Sequence, residues 1–194
     1  MNHIYTTKSI IIKSTPFGEA NKIYFILTRD LGFIRASAQG VRLDKSKLKG
    51  HLQDFTLANI SFVKGKEMWR ITSVETIQPA LFIKNQDKLS IARNIFSLLL
   101  RLLHGEEKNE ALFDCIGSFY LFLSLENLSA AQLKNLEIIT VLRILYQLGY
   151  LKQSADVSPF VTDNTLSADF LSAIEEKKKI AIYEINEALE HTNL

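Results

Sequence analysis

The apolar residues of this chain change period at Pro79, and that change constrains the fold more than any other feature. Before it, β-branched and aromatic residues come in short runs separated by Pro16-Phe17-Gly18, Arg29-Asp30-Leu31-Gly32 and Lys64-Gly65-Lys66. These runs predict strands over Thr6–Lys13, Lys22–Thr28, Phe33–Gln39, Phe55–Lys64 and Trp69–Ile77. In the third, Ile34, Ala36 and Ala38 alternate with Arg35, Ser37 and Gln39, as in a strand with one buried face. Beyond Pro79 the spacing becomes three and four. Leu89, Ala92, Ile95, Phe96, Leu99 and Leu103 trace one face of a helix over Lys88–Leu103. Further helices are expected over Asn109–Leu125 and from a Ser129 N-cap to a Gly149 stop. Two more are expected over Ala168–Lys177 and Ile180–His191, after a loop over Lys152–Ser167.

Strands followed by a run of helices give an α+β chain with segregated parts. The expected organisation is a five-stranded barrel over residues 1–80 and an all-α domain over residues 81–194. Five short strands suit an OB-fold barrel, and an SH3-like barrel has a similar strand count.

Charge divides at the same boundary. Residues 1–80 carry 12 Lys and Arg against 6 Asp and Glu, whereas residues 81–194 carry 11 against 15. A basic binding module followed by a more acidic domain is the expected reading. Hydrophobic residues at 47% and charged residues at 23% match an ordinary soluble globular protein. Met1-Asn2-His3-Ile4-Tyr5 leads into polar residues rather than an apolar signal segment. The apolar stretches Ile95–Leu103 and Cys115–Leu125 fall short of the ~20 residues that span a bilayer. A cytoplasmic protein with no membrane role is expected. Cys115 is the one cysteine, so it has no disulfide partner in the chain and builds no cysteine-based zinc site. Its apolar neighbours make it a buried small hydrophobe.

Catalytic patterns are hard to find. His3, His51, His104 and His191 are isolated, with no second histidine at metal-ligand spacing. Phosphate-binding loops of the Gly-x-x-x-x-Gly-Lys type and Gly-x-Ser-x-Gly elbows do not occur. Glu106-Glu107 reads as a solvated turn, and Glu175-Glu176 before Lys177-Lys178-Lys179 as a solvated helix face. The expectation is a protein that is not an enzyme and takes no cofactor or metal.

The informative segment runs from Gln39 to Gly50, with glycines at both ends and four cations against one anion. It has no apolar periodicity and reads as an exposed loop. Cations one to three residues apart can each meet a phosphate, and counterion release then drives binding. Ser46 and the amides beside the glycines are expected to add hydrogen bonds to phosphate. The candidate contacts are Lys8, Lys13, Lys22, Arg35, Gln39, Arg42, Lys45, Ser46, Lys47 and Lys49. A solvated loop with no ligand is the alternative. Tyr5, Phe17, Tyr24, Phe33 and Trp69 serve a barrel core as readily as a base-stacking platform, and Phe17 is the one expected to be exposed.

Three stretches carry a family resemblance. Tyr5 to Ser14 followed by Pro16-Phe17-Gly18-Glu19-Ala20-Asn21-Lys22 resembles the opening of the bacterial RecO family, with its extended strand and "Y-G-E-x-D/N" turn. Ala38-Gln39-Gly40-Val41-Arg42, Lys45-Ser46-Lys47-Leu48 and Leu52-Gln53-Asp54-Phe55 resemble the family's "K-G-x-R-x-x-x-S-K-x-x-x-x-L-Q-P-F" stretch. Leu142-Arg143-Ile144-Leu145-Tyr146-Gln147-Leu148-Gly149-Tyr150 is similar to its helical "L-R-L-L-x-x-L-G-Y" segment.

The resemblance implies an N-terminal OB-fold on a helical domain. It also implies a recombination mediator that binds single- and double-stranded DNA and anneals complementary strands. The implied partners are RecR and the C-terminal tail of the single-stranded DNA-binding protein SSB, with RecA loaded on SSB-coated DNA as the outcome. Many family members carry a four-cysteine zinc module after the "L-G-Y" segment. Leu151-Lys152-Gln153-Ser154-Ala155-Asp156 stands there instead, which suggests a zinc-free variant. Arg143 matches a family arginine, and its mid-helix position favours a buried structural role. The alternative function is an adaptor whose barrel holds an acidic partner or peptide tail.

Overall fold

Ile4–Phe17 forms a single strand, β1, long enough to pair with two neighbours in succession. The computed structural model describes residues 3–152, 154–163 and 165–190, so His191 lies outside it. Ile4 to Ile10 pair antiparallel with β4 (Leu57–Lys64), and Ser9 to Phe17 pair with β2 (Asn21–Thr28). A register shift between Ile11 and Lys13 bends β1 where it passes from one partner to the other. β2 pairs with β3 (Gly32–Ala38), and β4 with β5 (Trp69–Gln78). A short parallel contact, Ala36 opposite Trp69 and Ser37 opposite Arg70, closes the barrel in the order β1-β2-β3-β5-β4. This is a five-stranded barrel of OB type, not the SH3-like alternative.

The expected alternation in β3 is observed: Ile34, Ala36 and Ala38 are buried while Arg35 is exposed. With Ile11, Tyr24, Ile26, Ile60 and Phe62 they fill the interior. Two boundaries differ from expectation. Pro16 and Phe17 continue β1 opposite Lys22 and Asn21, which leaves Gly18 to Ala20 as the turn. Phe55 does not open β4, because its backbone takes the left-handed conformation at φ 66° and interrupts the extended run.

The chain divides into two compact units, one of residues 1–80 with 103–110 and one of residues 81–102 with 111–194. Residues 103–110 were expected in the helical part, whereas they pack with the barrel. The helical unit contains α1 (Gln86–Leu102), most of α2 (Glu110–Leu125) and α3 (Ala130–Gln147). Ser129 caps α3 with a reciprocal capping box to Gln132. Gly149 and Tyr150 close its other end by donating their amides to the carbonyls of Tyr146 and Leu145.

The expected loop over Lys152–Ser167 contains a short helix, α4 (Ser158–Thr162), which buries Phe160 and Val161. The helix expected over Ala168–Lys177 is α5 (Ala168–Ala173) followed by a 3-10 turn, and α6 runs Lys178–Glu190. Arg143 is 1% exposed and has the buried structural role expected of it. Its Nε donates to the carbonyl of Phe160 at 2.8 Å, and its terminal nitrogen donates to the carbonyls of Asp163 and Thr165. The guanidinium also lies 5.4 Å from the Phe170 ring centre. It therefore ties α3 to the segment around α4, and burial lowers its pKa. Cys115 is buried, and desolvation pushes its thiol up to about 11. No helix among the described residues is long and apolar enough to cross a membrane.

Candidate nucleic-acid interface

The bulge in β1 decides which face Lys13 occupies. Side chains alternate along a strand, so the inward Ile11 would carry Lys13 inward as well. The shift instead sets Lys13 opposite Phe25, and Phe25 opposite Arg35, so the three form one row across β1, β2 and β3. The Arg35 guanidinium sits 5.7 Å from the Phe25 ring centre. Phe25 stacks on Phe33 with centroids 6.4 Å apart and planes 21° from parallel. Both rings are partly exposed, while Lys13 and Arg35 are exposed with no carboxylate partner among the described residues. A pair of aromatic faces flanked by two cations can stack a base and hold its phosphate together.

The Gln39–Gly50 segment is more ordered than a free loop. Val41 and Leu52 are buried, and Leu48 packs against the same core. Several of its amides already have acceptors within the fold. Gly40 N–H donates to Asn21 Oδ1, Arg42 N–H to the carbonyl of Ala20, and Ser46 N–H to that of Leu43. What remains outward is side-chain charge. Arg42, Lys45 and Lys47 are exposed, and Lys45 and Lys47 have no ion-pair partner among the described residues. Gln39 is exposed directly after β3, and Ser46 is half-buried. Lys49 pairs with Asp44 at 2.9 Å, and this hydrogen bond holds the Asp44 carboxyl below the usual range.

Lys22, Arg42 and Lys49 come together around a recess of about 210 Å³ at the mouth of the barrel, lined also by Tyr24, Val41 and Leu52. Tyr24 and Phe25 are consecutive, so the recess and the aromatic row lie on opposite faces of β2. Lys8 stands apart. It sits opposite Asn59 on the β4 side, five residues before Lys13, or roughly 16 Å along an extended strand.

A different pattern holds where residues 103–110 cross the barrel. Glu106 is exposed but anchored: Trp69 Nε1 donates to it at 2.9 Å, and Lys64 approaches to 3.7 Å. Glu106 and Glu107 are both exposed in the connection between α1 and α2, as a solvated turn would be, and Glu106 is in addition anchored on the barrel. Lys108 bridges Glu110 at 2.6 Å and Asp30 at 3.9 Å, while Arg29 lies 3.5 Å from Glu110. The hydrogen bond between Lys108 and Glu110 raises the first pKa and lowers the second.

Residues 1–80 match the family model described as "Recombination protein O N terminal". By this match residues 1–80 are a RecO-type N-terminal domain. DNA repair protein RecO of Dehalococcoides mccartyi strain ATCC BAA-2266 / KCTC 15142 / 195 is 36% identical over 132 residues, covering 68% of this chain and 51% of that relative. The RecO of strain CBDB1 is 39% identical over 117 residues, 60% of this chain and 46% of its own length. That of Acaryochloris marina is 36% identical over 113 residues, covering 57% and 38%. The chain thus spans about half the length, or less, of these relatives.

Among the aromatics weighed from sequence, Phe17 is exposed as expected at 51%, whereas Tyr24 and Trp69 are buried in the RecO-type barrel. Phe25 was missed. Its role depends on pairing with residues ten and twelve positions away, and no local pattern announces that. Among the described residues no group of three or more His, Cys, Asp or Glu is placed to hold a metal ion.

Proposed function

We propose that the chain is a DNA-binding recombination mediator of the RecO type, which acts by holding strands rather than by making or breaking bonds. The observation that carries this reading is the cation-flanked Phe25–Phe33 pair beside a barrel mouth whose Arg42, Lys45 and Lys47 face no carboxylate among the described residues. A single strand would stack bases on the outer face of β2 and β3. Its phosphates would meet Lys13, Arg35, Arg42, Lys45 and Lys47, with Lys22, Gln39, Ser46 and Lys49 at the margin and Lys8 further along β1. Duplex DNA would use the same cations without the stacking. Neutralising two strands on one basic surface lowers their mutual repulsion, and annealing follows.

The names of the relatives place those proteins in DNA repair. For this chain, DNA repair by recombination in the bacterial cytoplasm, at the nucleoid, is the corresponding role. Partnership with RecR, capture of the SSB C-terminal tail by the helical unit, and loading of RecA on SSB-coated DNA complete the proposal.

The test titrates the full chain with a mixed-sequence single strand and, separately, with an acidic peptide ending in Phe. Charge reversal at Arg42, Lys45 and Lys47 together is expected to weaken strand binding on the order of 100-fold at low salt. Tight peptide binding by the barrel cations with no strand affinity would instead support the adaptor reading.

A further inference from the structure

We propose that the recess under Lys22, Arg42 and Lys49 is a fixed phosphate site, in which the Tyr24 hydroxyl donates a hydrogen bond to one backbone phosphate of a bound strand. The proposal rests on the DNA-binding reading and gives it a discrete anchoring point. Tyr24 is 0% exposed, and its hydroxyl has no hydrogen-bond partner among the described residues. A buried hydroxyl left unpaired costs free energy, so such groups are ordinarily satisfied. Tyr24 lines a recess whose other polar side chains, Lys22, Arg42 and Lys49, are all cationic.

The chemistry selects an anion that only accepts hydrogen bonds. Burial, and the charge of the nearby Asp54 carboxylate, push the Tyr24 phenol up to about 12, so it remains a neutral donor throughout the physiological range. Lys22 Nζ spends one donor on Ser14 Oγ at 3.4 Å, and Arg42 one on the Gly18 carbonyl at 3.0 Å. Lys49 gives one to Asp44. An ammonium has three donors and a guanidinium five, so each keeps donors for a phosphate. The buried Val41 and Leu52 form the apolar wall, where charge-assisted bonds are stronger than in open water.

Tyr24→Phe removes the hydroxyl and keeps the ring, and its thermal midpoint without ligand reports that the barrel still folds. Inorganic phosphate is expected to raise the midpoint of the wild-type chain and to do so much less for Tyr24→Phe. Affinity for an oligothymidylate strand should fall about tenfold in the variant, the worth of one charge-assisted hydrogen bond. The salt slope should not change, because no charge is removed. Lys22→Gln, which leaves the core intact, should lower both affinity and slope.

If Tyr24→Phe matches wild type with both probes, the phosphate site is overturned while DNA binding stands. If phosphate protection depends on Tyr24 but strand affinity does not, the recess serves a free phosphate and the proposal also fails. If the wild type binds no strand, the DNA-binding reading falls and the proposal falls with it, even where phosphate still protects through Tyr24.

Discussion

Where residues 103–110 cross the barrel, Arg29, Lys64 and Lys108 each stand within 4 Å of a carboxylate. At the mouth formed by the β1–β2 turn and the Gln39–Gly50 segment, Lys22, Arg42, Lys45 and Lys47 face none among the described residues, and Lys49 alone is paired. Both regions contribute to the same positive count in the sequence, and only one of them presents it. The ion pairs of the first region are solvent-exposed, so each stabilises little. Their larger consequence is to cancel field on that side and leave the mouth as the positive face.

The largest expected effect comes from a matched pair of glycines. Gly32 has φ +71°, and a Cβ there would stand 2.3 Å from the carbonyl oxygen of Glu107. Gly32→Ala should therefore destabilise the barrel by about 3 kcal/mol in chemical denaturation. Gly40 at the mouth has φ +63° but meets only the Leu43 side chain at 3.5 Å. Gly40→Ala should cost about 1 kcal/mol, from the backbone conformation alone. Equal destabilisation would show that residues 103–110 do not press on the barrel as the structure places them.

Next in size is Arg35→Ala, expected to lower single-strand affinity about tenfold and duplex affinity less, since stacking on Phe25 serves only unpaired bases. Strand titrations by anisotropy separate the two. Glu106→Ala should cost about 1 kcal/mol, because it orphans the Trp69 indole N–H, and the only tryptophan in the chain reports the change by fluorescence. Its strand affinity should stay near wild type. The smallest effect runs the other way: Asp44→Asn releases Lys49 and should tighten strand binding roughly twofold.

Much of this architecture was legible because strand and helix periods are local signals. The alternation around Ile34–Ala38 and the threefold-fourfold spacing from Leu89 to Leu99 are both visible within one element. So was the cationic run from Arg42 to Lys49. The functional arrangement was less legible because it depends on register. The row Lys13–Phe25–Arg35 exists only through a bulge that turns Lys13 outward, and sequence does not mark that bulge. The anchoring of Glu106 on Trp69 joins residues 37 apart. α4 escaped notice because five residues with Pro159 near their start resemble a turn, and its tie to Arg143 is made through backbone carbonyls that no side-chain motif encodes.

The central claim is that charge at the mouth, not charge beside residues 103–110, meets the phosphates. The direct measurement is the slope of log affinity against log salt for an oligothymidylate strand with two matched triple variants. Arg42, Lys45 and Lys47 to Ala should flatten the slope by about 2, as expected when three fewer phosphates of a single strand are neutralised. Arg29, Lys64 and Lys108 to Ala should leave it unchanged. Equal flattening by both variants, or by neither, would contradict the account.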